Sequence, residues 1–393
     1  MNERLIIGIF GFGVVGQGLY DIIKTKNLNV EIKRFVIKHA EKKRSLDQSL
    51  FSTDADMILE DPEINTVIEL IDDADAAFDI VSKALKNGKN VVSANKKMIA
   101  DNLETLVELQ HKYGKSLLYE GAVCGSIPII RNLEEYYDNE LLHSVSGIFN
   151  GSSNYILSKI FQENMPYSVA LKQAQDLGFA ESNPSLDVDG YDAKYKLVIT
   201  AAHAYGLYID PKDVLNIGIS TISENDVRFA KEKNLKIKLV PMAQEVNDSK
   251  VVLYVIPKFI SAENILFNVE NEYNGVQVQA AFSDQQFFYG KGAGGHPTGA
   301  AVLSDVTALR YAYRYEYKKH LKNGSLTYSS DHELKVYFRY ENEGVLDSLG
   351  FTSIIEKYSG PNFKYIIGTI NLQNIQQHQS LLKDKHVFIA EIV

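Results

Sequence analysis

A chain of 393 residues, 45% hydrophobic and 23% charged, holds enough apolar material for two or three domains with their own cores. Its 50 acidic residues against 41 basic ones give a formal net charge of -9, which argues against a nucleic-acid partner, because phosphate binding needs concentrated Lys and Arg. One cysteine, Cys124, allows no disulfide framework, and no apolar run approaches the roughly 18 residues that span a bilayer, so a soluble cytoplasmic protein with no membrane partner is expected.

The run LIIGIF at 5–10 predicts a buried strand, followed by a glycine-rich turn and the amphipathic stretch VVGQGLYDIIKT. Further strands are predicted at 30–38 (VEIKRFVIK), at 65–71 (NTVIELI), in NVVSANK and at 116–123 (SLLYEGAV), with a helix at 76–88 closed by Gly88. Strands alternating with helices at this spacing predict an α/β fold with a doubly wound parallel sheet covered on both faces. From Ile127 to about Gly290 the helices lengthen (NYILSKIFQEN, YSVALKQAQDLG, YDAKYKLVITAAHAYG) and strands such as KIKLVPMAQEV, KVVLYVIPKFI and GVQVQAAF follow, which predicts an α+β domain. A glycine cluster at 289–299 precedes the helical run AAVLSDVTALRYAYRY, and the segment 332–393 reads strand, helix (VLDSLGFTSIIEKY), strand, helix, strand.

Gly11-Phe12-Gly13-Val14-Val15-Gly16 fits G-x-G-x-x-G between a strand and a helix. Glycines there permit a tight turn and let the backbone approach a pyrophosphate, while the helix N-terminus offers amides to the anion. The plainer alternative is a structural turn. After the second strand, VIKHAEKKRS offers Lys38, His39, Lys42, Lys43 and Arg44 and no acid directly at the strand end. Such a loop would receive a 2′-phosphate where a bare hydroxyl usually meets Asp or Glu, which favours NADP over NAD unless the loop is merely solvated. In NPSLDVDGYDAKYKLVIT, Asp192 and Lys196 share a helical face with Cβ atoms about 5–6 Å apart, a spacing that by itself describes a surface pair.

Taken in order, GFGVVGQG, VVSANKKMIA, YEGAVCGSIPII, GIFNGSSNYIL, LGFAESNPSLDVDGYDAKYKL and GAGGHPTGAAVLSDV resemble the homoserine dehydrogenase family along roughly residues 5–315. The resemblance implies a Rossmann nucleotide domain over 1–125, completed by about 292–320, an α+β catalytic and dimerisation domain over 126–291, and a homodimer. For 332–393 it implies a degenerate ACT-like α+β segment, one strand short, which packs or dimerises or else binds an amino acid. It also implies reversible, NADPH-dependent reduction of L-aspartate 4-semialdehyde to L-homoserine, on the route to threonine, methionine and isoleucine. Lys196 matches the proton donor of the family's D-x-x-x-K motif, with Asp192 as its partner. An ammonium beside the carbonyl oxygen stabilises the alkoxide that forms as hydride arrives.

By the same resemblance Glu181 and Asp187 bind the substrate's ammonium group, and Ser93, Lys96 and Gly294 lie against the cofactor. Glu120, with the backbone carbonyls of Val123, Gly125 and Ile127, would surround a monovalent cation, expected to be sodium, a hard ion that oxygen ligands suit. Cys124 and Ser126 depart from the small glycines usual there, and Cys124 reads as a buried small side chain. Ser152 stands where the family has Thr, keeping a hydroxyl at a helix start. Two rivals stand beside this reading: a reductase of another small aldehyde or keto acid, and a non-catalytic NADP or amino-acid sensor. Intact Lys196, Asp192 and Glu181 argue against the sensor.

Overall fold

The computed structural model describes residues 4–26, 28, 30–39, 41–44, 46–247, 249–322, 326–361 and 363–392. The chain divides into two compact units, Met1–Asp138 with Gly290–Lys319, and Asn139–Tyr289 with His320–Val393.

In the first unit, β1 (Leu5–Phe10), β2 (Val30–Val36), β3 (Phe51–Ser52), β4 (Thr66–Glu69), β5 (Asn90–Ser93) and β6 (Leu117–Leu118) form a sheet in the order 3-2-1-4-5-6. All its pairings are parallel. Ile7, Ile9, Val67, Ile68, Val91 and Val92 are buried, as strands covered on both faces require. The helix Lys96–Tyr113, which periodicity did not mark, starts because the Asn95 side chain accepts from the Met98 amide. The strand expected over 30–38 stops at Val36, and SLLYEGAV yields only Leu117–Leu118 before a 3-10 turn at Glu120–Ala122. The helix Gly295–Ala308 belongs to this unit and packs on the helix Val14–Lys26 through glycine: a Cβ on Gly18 would lie 2.3 Å from the Gly295 carbonyl carbon.

The second unit holds β7 (Leu142–Ile148), β8 (Leu215–Asn216), β9 (Leu235–Val246), β10 (Lys250–Ser261), β11 (Tyr273–Ala280), β12 (Asp284–Lys291), β13 (Thr327–Tyr328), β14 (Glu333–Tyr340), β15 (Ser353–Ser359), β16 (Lys364–Asn371) and β17 (Phe388–Ile392). They form a mixed sheet in the order 12-11-7-9-10-17-14-16-15, with β8 and β13 also paired to β10. Two prolines inside its long strands fall where ladders change hands. The β7 ladder on β9 ends at Met242, beside Pro241. Along β10, Pro257 lies between Val255, paired with β8, and Lys258, paired with β17. A residue without an N–H is tolerated at such gaps.

The last segment carries one strand more than expected. Its order is β14, helix Gly344–Leu349, β15, β16, helix Leu372–Gln377, β17, so the single helix read through VLDSLGFTSIIEKY is a helix followed by a strand. The helix stops because Gly350 takes the left-handed C-cap conformation, φ 66°, with its N–H on the Leu346 carbonyl. The β-branched and aromatic residues beyond it pair with β16. β15 shows no inside-outside alternation because it is the sheet edge and every one of its residues is exposed. The segment shares a core with β10: Val252, Tyr254 and Ile256 pack in one cluster with Val336, Phe338, Ile366 and Ile389.

Candidate active site

In the second unit the helix Tyr191–Tyr205 is buried almost all round, so the charges it carries must find partners inside the protein. Lys196 is 6% exposed and Asp192 4%. The lysine Nζ donates to Asp192 Oδ2 at 2.7 Å and to the Phe149 carbonyl at 2.7 Å. A pair this deep is not the solvated surface pair that spacing alone allows. Removing either partner would leave an uncompensated buried charge.

Asn150 completes the cluster and was not singled out in the sequence. Its Nδ2 donates to Asp187 Oδ1 at 2.6 Å and to Asp192 Oδ2 at 2.9 Å. Its Oδ1 accepts from the Ser153 amide at 2.8 Å, capping the helix Gly151–Glu163. Because an amide N–H can only donate, this cap fixes which end of the Asn150 side chain faces the carboxylates. The readable signal was an Asn directly before Gly-Ser-Ser at a helix start. Ser152, two residues later, is not the cap. Its hydroxyl donates to the Phe179 carbonyl, and Gln175 Nε2 donates to the Glu181 carbonyl at 3.0 Å. Together these bonds hold the Gly178–Glu181 turn, on which Glu181 is exposed.

In the first unit the cofactor candidates gather at the carboxyl ends of the parallel strands, on either side of the point where strand order reverses between β1 and β4. Gly11 follows β1 with φ 94°. A Cβ on Gly16 would sit 2.8 Å from the Gly11 carbonyl oxygen, whereas one on Gly13 would meet nothing within 4 Å. Phe12 packs inward on Phe35 and Phe51, Val14 is 73% exposed at the helix start and Val15 is half-buried beside it. The turn is therefore open on the side where a pyrophosphate would meet the helix amides, and the residues fit a dinucleotide. Ser93, at the end of β5, is buried and donates to Glu69 Oε2 at 2.6 Å. Glu69, a strand residue with no foreseen role, also accepts from the Ile71 amide, and burial pushes its carboxyl up to about 7. Lys96 is half-buried in the first turn of its helix, and Gly294 precedes the helix Gly295–Ala308 with φ 121°.

In the loop after β2, Lys38, His39, Lys42 and Lys43 are exposed. His39 pairs with Glu41 at 3.1 Å. Arg44 lies over the Phe51 ring and donates to the carbonyls of Lys42 and His39.

The Glu120 carboxylate is buried and hydrogen-bonded within the protein. Its two oxygens accept from the Ile130 and Arg131 amides, both at 2.9 Å, at the start of the helix Ile129–Glu135. Burial and the nearby Asp305 push it up to about 8. Among the described residues no group of three or more His, Cys, Asp or Glu is arranged to hold a metal. Val123 and Ile127 are buried, Gly125 has φ 54°, and Cys124, buried with φ 53°, lies within the same turn.

Comparison with known proteins covers both units. A family model described as homoserine dehydrogenase matches residues 128–307, and one described as homoserine dehydrogenase, NAD binding domain, matches 11–120. The homoserine dehydrogenase of Bacillus subtilis is 34% identical over 347 residues, covering 83% of this chain and 80% of its own. That of Helicobacter pylori is 37% identical over 317 residues, covering 79% and 74%. Among solved structures, a homoserine dehydrogenase from Thiobacillus denitrificans superposes with a TM-score of 0.87 at 26% identity, covering 100% of this chain and 98% of that one. A hyperthermophilic archaeal homoserine dehydrogenase mutant in complex with NADPH gives 0.68 at 25% identity, covering 80% and 100%. No helix among the described residues is long and apolar enough to cross a membrane. Matched along most of its length by relatives that share a third of its residues, the chain belongs to the homoserine dehydrogenase family and is an oxidoreductase acting on a CH–OH group.

Proposed function

We propose that the protein catalyses the reversible, NADPH-dependent reduction of L-aspartate 4-semialdehyde to L-homoserine, a step toward threonine, methionine and isoleucine. The observation that carries this reading is the buried Lys196 ammonium, oriented by Asp192 and the Phe149 carbonyl. The bound nicotinamide supplies the hydride. Lys196 donates a proton to the oxygen on which negative charge develops, and a donor already oriented before reaction costs little reorganisation. Asp187 and Glu181 receive the substrate's ammonium group, and Asn150 keeps the two aspartates apart at a fixed spacing.

NADP is favoured by the basic loop, in which Arg44 is the cation held by aromatic and carbonyl partners. A sodium ion would be bound by Glu120 together with the main-chain oxygens of Val123, Gly125 and Ile127. The protein acts as a homodimer in the cytoplasm. The test is homoserine oxidation followed by NADPH absorbance, with NAD in parallel and Lys196→Ala as control. Turnover that the variant loses, with NADPH binding kept, is the expected result. Wild-type protein that binds NADPH and turns over no homoserine would refute the reading.

A further inference from the structure

We infer that the C-terminal segment braces the aspartate loop, and that Asn216 and Gln379 are positioning residues for the reaction. This rests on the assignment of Asp187, Asp192 and Lys196 above. Asp187 lies in the short helix Ser185–Val188, while Asp192 and Lys196 lie in the helix that begins at Tyr191. Between them stand Asp189 and Gly190, the latter with φ 82°, so the setting of these two residues fixes the angle at which one aspartate meets the other.

That hinge is held from one side by the segment 216–220. Asn216, 5% exposed, donates through Nδ2 to the Asp189 carbonyl at 2.8 Å. Ser220 Oγ donates to Asp189 Oδ1 at 2.8 Å, and the Ile219 amide to the Val188 carbonyl at 2.7 Å. The approach is so close that a Cβ on Gly218 would come within 1.9 Å of the Val188 carbonyl oxygen. The C-terminal segment in turn holds this segment. Gln379 Nε2 donates to the Asn216 carbonyl at 2.5 Å and Gln376 Nε2 to the Asp213 carbonyl just ahead of β8, which also accepts from Tyr328 Oη in β13.

A cavity of about 210 Å³ opens at the same junction, with Asp189, Asn216, Gln379 and Leu382 in its wall. Beside it Leu215 and Ile217 pack with Leu372, Ile375 and Leu382 in one apolar cluster, and the hydrogen bonds from Gln379 through Asn216 to Asp189 give that contact its direction. No residue of this brace needs to touch substrate. Its effect should appear in the rate of the chemical step and not in cofactor affinity.

The experiment compares Asn216→Ala, Gln379→Ala and the double variant with wild type for kcat, for KM of homoserine, for NADPH affinity and for Tm. Each single variant is expected to lower kcat about 3–10-fold while NADPH affinity stays within twofold. The double variant should be no worse than the worse single one, as for two links of one chain. Single-variant kcat values within twofold of wild type, or losses that multiply in the double variant, would overturn the brace. Absence of homoserine turnover in the wild type would instead overturn the assignment beneath it.

Discussion

Replacing Asn150 by Ser separates its two duties. Ser caps a helix about as well as Asn, so the Ser153 amide keeps an acceptor, while the donor that reaches Asp187 and Asp192 at 2.6 and 2.9 Å is lost. A hydrogen bond to a charged group contributes about 1.5–3 kcal/mol. The bond to Asp192 is the one that bears on Lys196, and at about 1.4 kcal/mol per tenfold in rate its loss should lower kcat roughly 10–100-fold. Asn150→Ala removes the cap as well and should cost about 1 kcal/mol of additional stability. Steady-state homoserine oxidation at saturating NADP, NADPH binding by fluorescence and thermal melts distinguish the cases. Asn150→Ser should keep its cofactor affinity and lose kcat with a moderate drop in Tm, whereas Asn150→Ala should lose kcat similarly and drop further in Tm. A wild-type kcat in Asn150→Ser would show that the bridge is ornamental to the chemistry.

Glu69 makes stability pH-dependent. Its carboxyl is raised by burial from 4.5 to about 7, so between those values the folded state holds a proton that the unfolded state has lost. Stability therefore falls as pH rises through that window, by on the order of 3 kcal/mol in all. Glu69→Gln should flatten the fall in Tm between pH 5 and 8, to be read from melts at a series of pH values, and an unchanged slope would contradict the assignment. The ion pair of Asp226 with Arg339, 0% and 7% exposed at the side chains, ties the helix Glu224–Glu232 to β14. Asp226→Ala should cost about 3–5 kcal/mol in a denaturant titration by stranding the arginine, and adding Arg339→Met should recover part of it. Arg44→Ser should raise KM for NADP about tenfold or more, with KM for NAD little changed. A parallel rise for both cofactors would assign Arg44 to the fold and not to a 2′-phosphate.

Short-range order was legible in the sequence. The run LIIGIF, the glycine turn and the helix after it lie at Leu5–Phe10, Gly11–Gly13 and Val14–Lys26, because strand periodicity, left-handed glycine and helix start are properties of a few consecutive residues. The spacing of Asp192 and Lys196 was legible for the same reason. What that spacing meant was decided elsewhere: the lysine's second bond goes to Phe149, 47 positions away, and the bridge between the aspartates comes from Asn150. Sequence spacing carries no record of burial, and burial is what turns a surface pair into an oriented ammonium. β15 escaped because an edge strand has no buried face to impose alternation, and Glu69 read as one more strand residue because its partners, Ser93 and Ile71, meet it only once the parallel sheet has formed. Local chemistry thus determined most of the elements and the spacing of Asp192 and Lys196, while tertiary packing decided which polar groups lose water and so which of them are held in one fixed geometry.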